Sequence, residues 1–373
     1  MRDSIHLTGL NGLRALAAVA VVVSHINLNL DKFGVGKLPG LGVANFGVTL
    51  FFTLSGFLIT FLLLQEHAVK GNIDIRKFYV RRILRIWPLY FLYMVVVITF
   101  HYAVGEGGIN GSLVYYLLFI PNVAFAAGAS IPSLTHYWSL GVEEQFYLLW
   151  PLVVSKFSKL NLTLISFILS FLLLKVLVKV LFGANDFYTF LHYSRFGCMA
   201  IGSWGGYQFF RNRDAFSWLL RPGFETAAWI GVVLVTVNQF HFYSIIDHEL
   251  FAILVLILIV NQVRNPNPIY SLEKPIWDYL GKISFGLYVY NPLIIELVAL
   301  VYRHFFGSGD DAARYFLIYV ITSLAVVGAA HVSYHLFEKK FLVMKEKFSQ
   351  IKTADSLLLA ESDTEKANAN LKG

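Results

Sequence analysis

Charge is what this chain has least of. Of its 373 residues, 14% are Asp, Glu, Lys or Arg, where a soluble globular protein carries about 25%. With 57% hydrophobic residues and a mean hydropathy of +0.62, the shortfall excludes an ordinary solvated surface and indicates an all-α, polytopic membrane bundle. Cysteine is equally scarce. The single Cys198 allows no intrachain disulfide framework and reads as a small buried helix residue. No internal repeat is visible, which speaks against an inverted-repeat transporter. No His-Glu-x-x-His arrangement occurs. His331 and His335 with Glu338 are a weak substitute at a helix end, so no metal is expected. The net charge of +7 reports basic loops and contact with anionic lipid headgroups, and nucleic acid is not an expected partner. Arg14 interrupts the first apolar run and no small-residue cleavage site follows it, so the run is expected to be a helix rather than a signal peptide.

What is present is a series of apolar runs of about 20 residues, the length that crosses a bilayer. They lie at 12–30, 47–65, 84–104, 139–156, 161–182, 187–209, 225–241, 248–262, 280–302 and 314–336. A shorter run, 112–127, is expected to enter only half-way or to lie at the interface. The basic residues decide this: Arg76, Lys77, Arg81, Arg82 and Arg85, then Arg211, Arg213 and Arg221, then Lys339, Lys340, Lys345 and Lys347. All three groups fall on the cytoplasmic side when ten helices cross. Both termini are then cytoplasmic. Residues 1–340 form one membrane domain, and 341–373 a flexible cytoplasmic tail.

The chain is organised around Leu13–His25. Arg14 and His25 are eleven residues apart, close to three helical turns and about 16 Å of rise, so they share a face at two depths. An ionisable group inside a membrane is a functional candidate. A neutral imidazole at His25 suits removal of a proton from a hydroxyl. Glu143 starts a helix from the outer side, reaches a similar depth, and is expected to orient His25 as the acid of a triad does. Ser139 shares the face of Glu143, whereas Glu144 is turned about 100° away. Arg82 and Arg85 project together, and with Arg14 they form an expected three-arginine cluster at the inner surface. Guanidinium forks match phosphate oxygens, as a coenzyme A thioester would offer. Ser55 and Gly56 read as a packing notch or a cavity wall, and Gly202 with Gly206 as a small-residue packing pair.

Taken in order, Arg14-x10-His25, Phe51-Phe52-x-x-Ser55-Gly56-Phe57, Arg82-x-x-Arg85 and Trp138-Ser139-Leu140-x-x-Glu143 resemble the acyltransferase-3 membrane family over residues 8–340. The resemblance implies a bundle of ten or so helices that moves an acyl group, often acetyl, from cytoplasmic acetyl-coenzyme A to a carbohydrate hydroxyl. Lipopolysaccharide O-antigen, peptidoglycan, exopolysaccharide, nodulation factors and macrolides are acceptors in that family. It also implies that His25 and Glu143 are catalytic and that Arg14, Arg82 and Arg85 serve the donor. Ser55, Trp138, Ser139, Tyr147 and Asn291 are expected to line the substrate site. Two departures stand out. Asn291 occupies a position that is often histidine, and an asparagine is an orienting group at most. A fused extracytoplasmic hydrolase-like domain, found in some members, is not seen, so the domain is expected to act alone or with a separate extracytoplasmic partner.

The expected activity is therefore O-acylation of an envelope or exported polysaccharide, or of its lipid-linked precursor, at a bacterial inner membrane. The rival reading is a proton-coupled transporter or flippase using His25 and Glu143 as a relay, and a third is a membrane scaffold.

Overall fold

Apolar runs without water must satisfy every backbone group internally, and helices do this within one segment. The computed structural model describes residues 7–38, 43–105, 111–237, 245–349 and 351, and among these every regular element is helical. In chain order they are α1 (Leu10–Leu28), α2 (Val43–Lys70), α3 (Ile75–Ala103), α4 (Leu113–Leu117), α5 (Pro121–Ala126), α6 (Tyr137–Lys156), α7 (Leu160–Phe182) and α8 (Asp186–Ser194). There follow α9 (Phe196–Arg211), α10 (Pro222–Thr236), α11 (Asp247–Arg264), α12 (Pro275–Lys282), α13 (Ser284–Phe306), α14 (Ala312–Ser333) and α15 (Lys339–Glu346).

Six of these segments are long and apolar enough to cross a membrane: α1, α2, α3, α7, α13 and the continuous run Ala312–Glu346 that joins α14 to α15. A seventh is available if the pair Asp214–Leu220 and Pro222–Thr236, bent by 74°, counts as one span. The outer face of α7 shows why lipid is the solvent: Leu162, Leu169 and Leu181 are 60–67% exposed along it. The expected continuous span 187–209 is corrected by the structure. It breaks at Arg195, which takes φ +45° between α8 and α9. That left-handed conformation is costly for a residue with a Cβ. Its guanidinium compensates by donating to the Asn45 carbonyl at 2.6 Å and to Thr49 Oγ1 at 3.2 Å, beneath the rings of Trp138 and Tyr193. The run 112–127 holds two helices of five and six residues, with Phe119 at φ +56° between them. At about 1.5 Å per residue neither reaches across a hydrocarbon core of about 30 Å.

The closest helix pair is α2 with α9. A methyl group at Gly56 would collide with the Met199 carbonyl, and one at Gly202 with the Thr53 carbonyl. Gly56 is thus the packing notch, while its neighbour Ser55 faces a cavity. Lys175 of α7 and Glu249 of α11 make a buried ion pair at 2.6 Å. Losing one partner of such a pair costs about 3–5 kcal/mol, because the other charge is left bare. The chain stays packed past residue 340: α15 lies on α3, and the Phe348 carbonyl accepts from Arg81 Nη1 at 2.9 Å. Residues 352–373 of the expected tail lie outside the described residues.

Candidate active site

α1, α2, α3, α6 and α13 enclose a cavity of about 780 Å³. One end is basic. Arg14, Arg81, Arg82, Arg85, Lys282, Lys339 and Lys345 line it, with Glu66, Glu273, Asp278, Glu338 and Glu346 among them. Several of these charges are already matched: Arg81 with Glu66 at 3.0 Å, Lys282 with Asp278 at 2.7 Å and Lys345 with Glu346 at 2.9 Å. Arg82 and Arg85 have no such ion pair among the described residues. The Arg82 guanidinium lies over the rings of Phe78 and Tyr147, at 5.4 and 5.2 Å, and its buried Nε has no hydrogen-bond partner. Two guanidinium groups without ion pairs, facing a cavity beside Arg14, suit an anion with several phosphate oxygens. The three arginines singled out in the sequence are thus brought together.

α2 and α6 supply part of the cavity wall. Ser55, Ser139, Glu143 and Tyr147 line it here. Ser55 Oγ donates to Glu143 Oε1 at 3.0 Å, and the Tyr147 hydroxyl donates to Ser55 Oγ at 3.3 Å. Trp138 is not on this wall. It packs against Phe125 and Tyr193, with the Arg195 guanidinium over its ring, because it sits about 100° round the helix from Ser139. Glu144 also faces away and accepts from Trp87 Nε1 at 2.9 Å. At the far end the hydroxyls of Ser139 and Tyr288 lie 2.5 Å apart, and Tyr288 donates to the His136 carbonyl at 2.8 Å. This pair forms a roof.

His25 lies beyond the roof, and its setting follows from a proline. Pro292 interrupts α13. It has no N–H, so the Tyr288 carbonyl loses the donor that an unbroken helix supplies. The side chain of Asn291 fills the gap, with Nδ2 donating to the Tyr288 carbonyl at 2.7 Å and to the Leu287 carbonyl at 3.0 Å. Both amide protons are then in use and Oδ1 faces α1, where His25 Nδ1 stands 2.5 Å away. An amide oxygen only accepts, so Nδ1 carries the proton and donates. The neutral ring therefore holds its lone pair on Nε2.

The expected contact between His25 and Glu143 is not made. Their hydrogen bonds go to Asn291 and Ser55 respectively. Glu143 lies four residues below Ser139 on α6, and Asn291 three residues beyond Tyr288 on α13. With Ser139 and Tyr288 level, the two sites differ in height by about 10 Å along the helices. Loop charge sets which way a helix runs but leaves its depth uncertain by a turn or two. Asn291 is off the cavity lining on which it was expected, and its role is the orienting one, bonded to His25.

Sequence reasoning assigned nothing to His136 or Tyr288. Tyr288 sits in the Ile283–Pro292 stretch that carries Asn291, and three residues put it one turn away on the same face. His136 precedes the Trp138-Ser139-Leu140 segment, where it resembled a span-end residue. Glu338, the carboxylate of the weak metal pattern, lines the cavity and accepts from Ser333 Oγ at 2.9 Å.

The acyltransferase-domain family model matches residues 7–332. The chain belongs to the acyltransferase-3 family. It is 26% identical over 382 residues to O-acetyltransferase OatA of Staphylococcus aureus, covering 92% of this chain and 60% of that one. Over 166 residues it is 32% identical to peptidoglycan O-acetyltransferase OatA of Listeria monocytogenes, covering 41% of this chain and 25% of the relative. This acyltransferase-3 chain therefore spans about 60% of the length of the staphylococcal relative. No solved structure matches it. The matched residues include Arg14, Arg82, Arg85, Ser139, Tyr288 and His25, while the part of the cavity wall from Tyr334 onward lies beyond the match.

Proposed function

We propose that the chain is an integral membrane O-acetyltransferase that moves acetyl from acetyl-coenzyme A to a hydroxyl of a cell-wall glycan of the peptidoglycan class. The observation that carries this reading is one line of groups: arginines at the mouth of a cavity, a hydroxyl roof at its end, and an imidazole with a free lone pair just beyond. The names of the relatives support acetyl as the group and a cell-wall polymer as the acceptor. Positive charge at the arginine end supports placing that end in the cytoplasm of a bacterial cell with both termini inside; ten crossings would need α6, α9 and α11 besides the six long apolar segments and the bent pair.

In this reading Arg14, Arg82 and Arg85 hold the donor's phosphates. The pantetheine arm passes Ser55 and Glu143, whose oxygens accept from its amide N–H groups. The roof of Ser139 and Tyr288 parts to admit the thioester. His25 Nε2 takes the proton of the acceptor hydroxyl, whose oxygen attacks the thioester carbonyl carbon. The carbon–sulfur bond breaks, and His25 returns the proton to the thiolate sulfur. Asn291 holds the ring throughout and accepts from Nδ1–H, which becomes more acidic as the ring gains charge. Glu143 serves the donor arm instead of orienting His25. A separate extracytoplasmic partner that presents the glycan is compatible with this scheme.

The test is thioester consumption by the purified protein in detergent, given acetyl-coenzyme A and cell-wall glycan fragments, beside His25→Ala. Release of free thiol and acetylated glycan by the unaltered protein alone is expected. Equal release by His25→Ala would overturn the role of His25. Gradient-dependent glycan flux without thiol release would favour a transporter.

A further inference from the structure

Beside His25 sits a second imidazole that the scheme above does not use. His136, at the start of α6, is 5% exposed, and among the described residues neither ring nitrogen has a hydrogen-bond partner. Rings enclose it: Tyr93 at 5.8 Å, Tyr137 at 5.1 Å and Tyr288 at 5.4 Å between centroids. The Val289 carbonyl approaches from the backbone without reaching hydrogen-bond geometry. Burial of a polar group with no partner is uncommon in native proteins and calls for an explanation.

The fourth neighbour supplies one. The His136 and His25 rings are 6.5 Å apart, edge to face at 77°. A direct hydrogen bond between two imidazoles would bring their centroids to about 5 Å. The two rings are therefore not hydrogen-bonded to each other, and a substrate oxygen would come between them only as the roof parts. His136 is also fixed to the roof, since its own carbonyl accepts from Tyr288, whose oxygen in turn accepts from Ser139. Its ring therefore stands behind the roof, on the side where His25 lies.

We propose that His136 is a further catalytic residue, whose ring N–H donates to the thioester oxygen as that oxygen becomes negative. This rests on the acetyl-transfer reading. The atoms balance with that scheme. The acceptor proton goes to His25, the carbonyl π electrons move to the oxygen held by His136, and their return expels the thiolate. His136 keeps its proton throughout. A donor aimed where charge develops acts on the transition state more than on the bound substrate.

The experiment compares His136→Phe, His136→Gln and His136→Asn with the unaltered full chain, measuring kcat and KM for acetyl-coenzyme A by thiol release. Each variant is first checked for a monodisperse elution profile. Phe keeps the ring shape without a donor, and kcat should fall about 100- to 1,000-fold while KM stays within about threefold. Gln places an amide near the position of Nε2 and Asn near that of Nδ1. One of the two should recover at least about a tenth of the lost rate, and which one identifies the donating nitrogen. If His136→Phe does not fold, the Gln–Asn contrast still decides. Full kcat in the Phe variant, or equal loss in folded Gln and Asn variants, would overturn the proposal while leaving acetyl transfer standing. Absence of thiol release by the unaltered protein would instead overturn the parent reading and this inference with it.

Discussion

Asn291 is the residue whose replacement separates structure from chemistry most cleanly. Its amide does two jobs with opposite ends. Nδ2 satisfies the Tyr288 carbonyl that Pro292 leaves bare, and Oδ1 holds His25 Nδ1. Asn291→Ala removes both. The buried carbonyl left unsatisfied costs about 1–3 kcal/mol of stability. A hydrogen bond to a ring that becomes charged is worth about 1.5–3 kcal/mol, so kcat should fall roughly 10- to 150-fold at about 1.4 kcal/mol per tenfold. Asn291→Asp keeps the acceptor and loses the donor. Its carboxylate can hold His25 Nδ1–H, but it faces the Tyr288 and Leu287 carbonyls with nothing to offer. The Asp variant should therefore melt earlier than the unaltered protein and retain kcat per folded molecule within about tenfold. Thermal unfolding in detergent gives the first quantity. A chromogenic thiol reagent that reads released coenzyme A gives the second, with little background because Cys198 is fully buried. An Asp variant as inactive as the Ala variant, at equal folded fraction, would refute the reasoning about the His25 tautomer.

The other predictions are simpler. Arg82→Ala and Arg85→Ala should each raise the dissociation constant for acetyl-coenzyme A about tenfold or more, since a hydrogen bond to a charged group is worth about 1.5–3 kcal/mol; unchanged donor affinity in titration calorimetry would remove the phosphate site. Gly202→Leu should prevent α9 from seating against the Thr53 carbonyl, and a well-behaved elution profile at the normal melting temperature would contradict the packing described. Asp74 caps α3 by accepting from the Lys77 backbone N–H at 3.0 Å, and that bond holds its carboxyl below the usual value. Its stabilisation is full above the ordinary aspartate range and fades as pH falls through the lowered folded value. Asp74→Ala should accordingly cost about 1 kcal/mol near neutral pH and progressively less in acid, which melting curves across pH would check.

Much of the site could be read from residue spacing because helices convert spacing into direction. Arg82 and Arg85 at three residues, Ser139 and Glu143 at four, and Arg14 and His25 at eleven each had to share a face, and the first two pairs line the cavity with Arg14. The same rule turned Glu144 away from Glu143. It also turns Trp138 away from Ser139, a consequence that its motif neighbourhood obscured. What spacing does not contain is the relative height of two helices. His25 and Glu143 were matched in depth from loop charges alone, and the level at which Tyr288 of α13 meets Ser139 of α6 separates them.

By itself the sequence determined that this chain is helical and belongs in lipid, that Arg14 and His25 share one face, and that a family resemblance runs through its motifs. These follow from composition and from a period of about 3.6 residues, which are properties of single segments. Only the tertiary structure decided that Asn291 orients His25, that Ser139 and Tyr288 roof the arginine cavity, that Arg195 breaks an expected span, and that His136 stands unpartnered beside His25. Each of these joins side chains from different helices. No local pattern encodes such contacts, because they depend on the depth at which packing side chains and close glycine approaches let the helices settle.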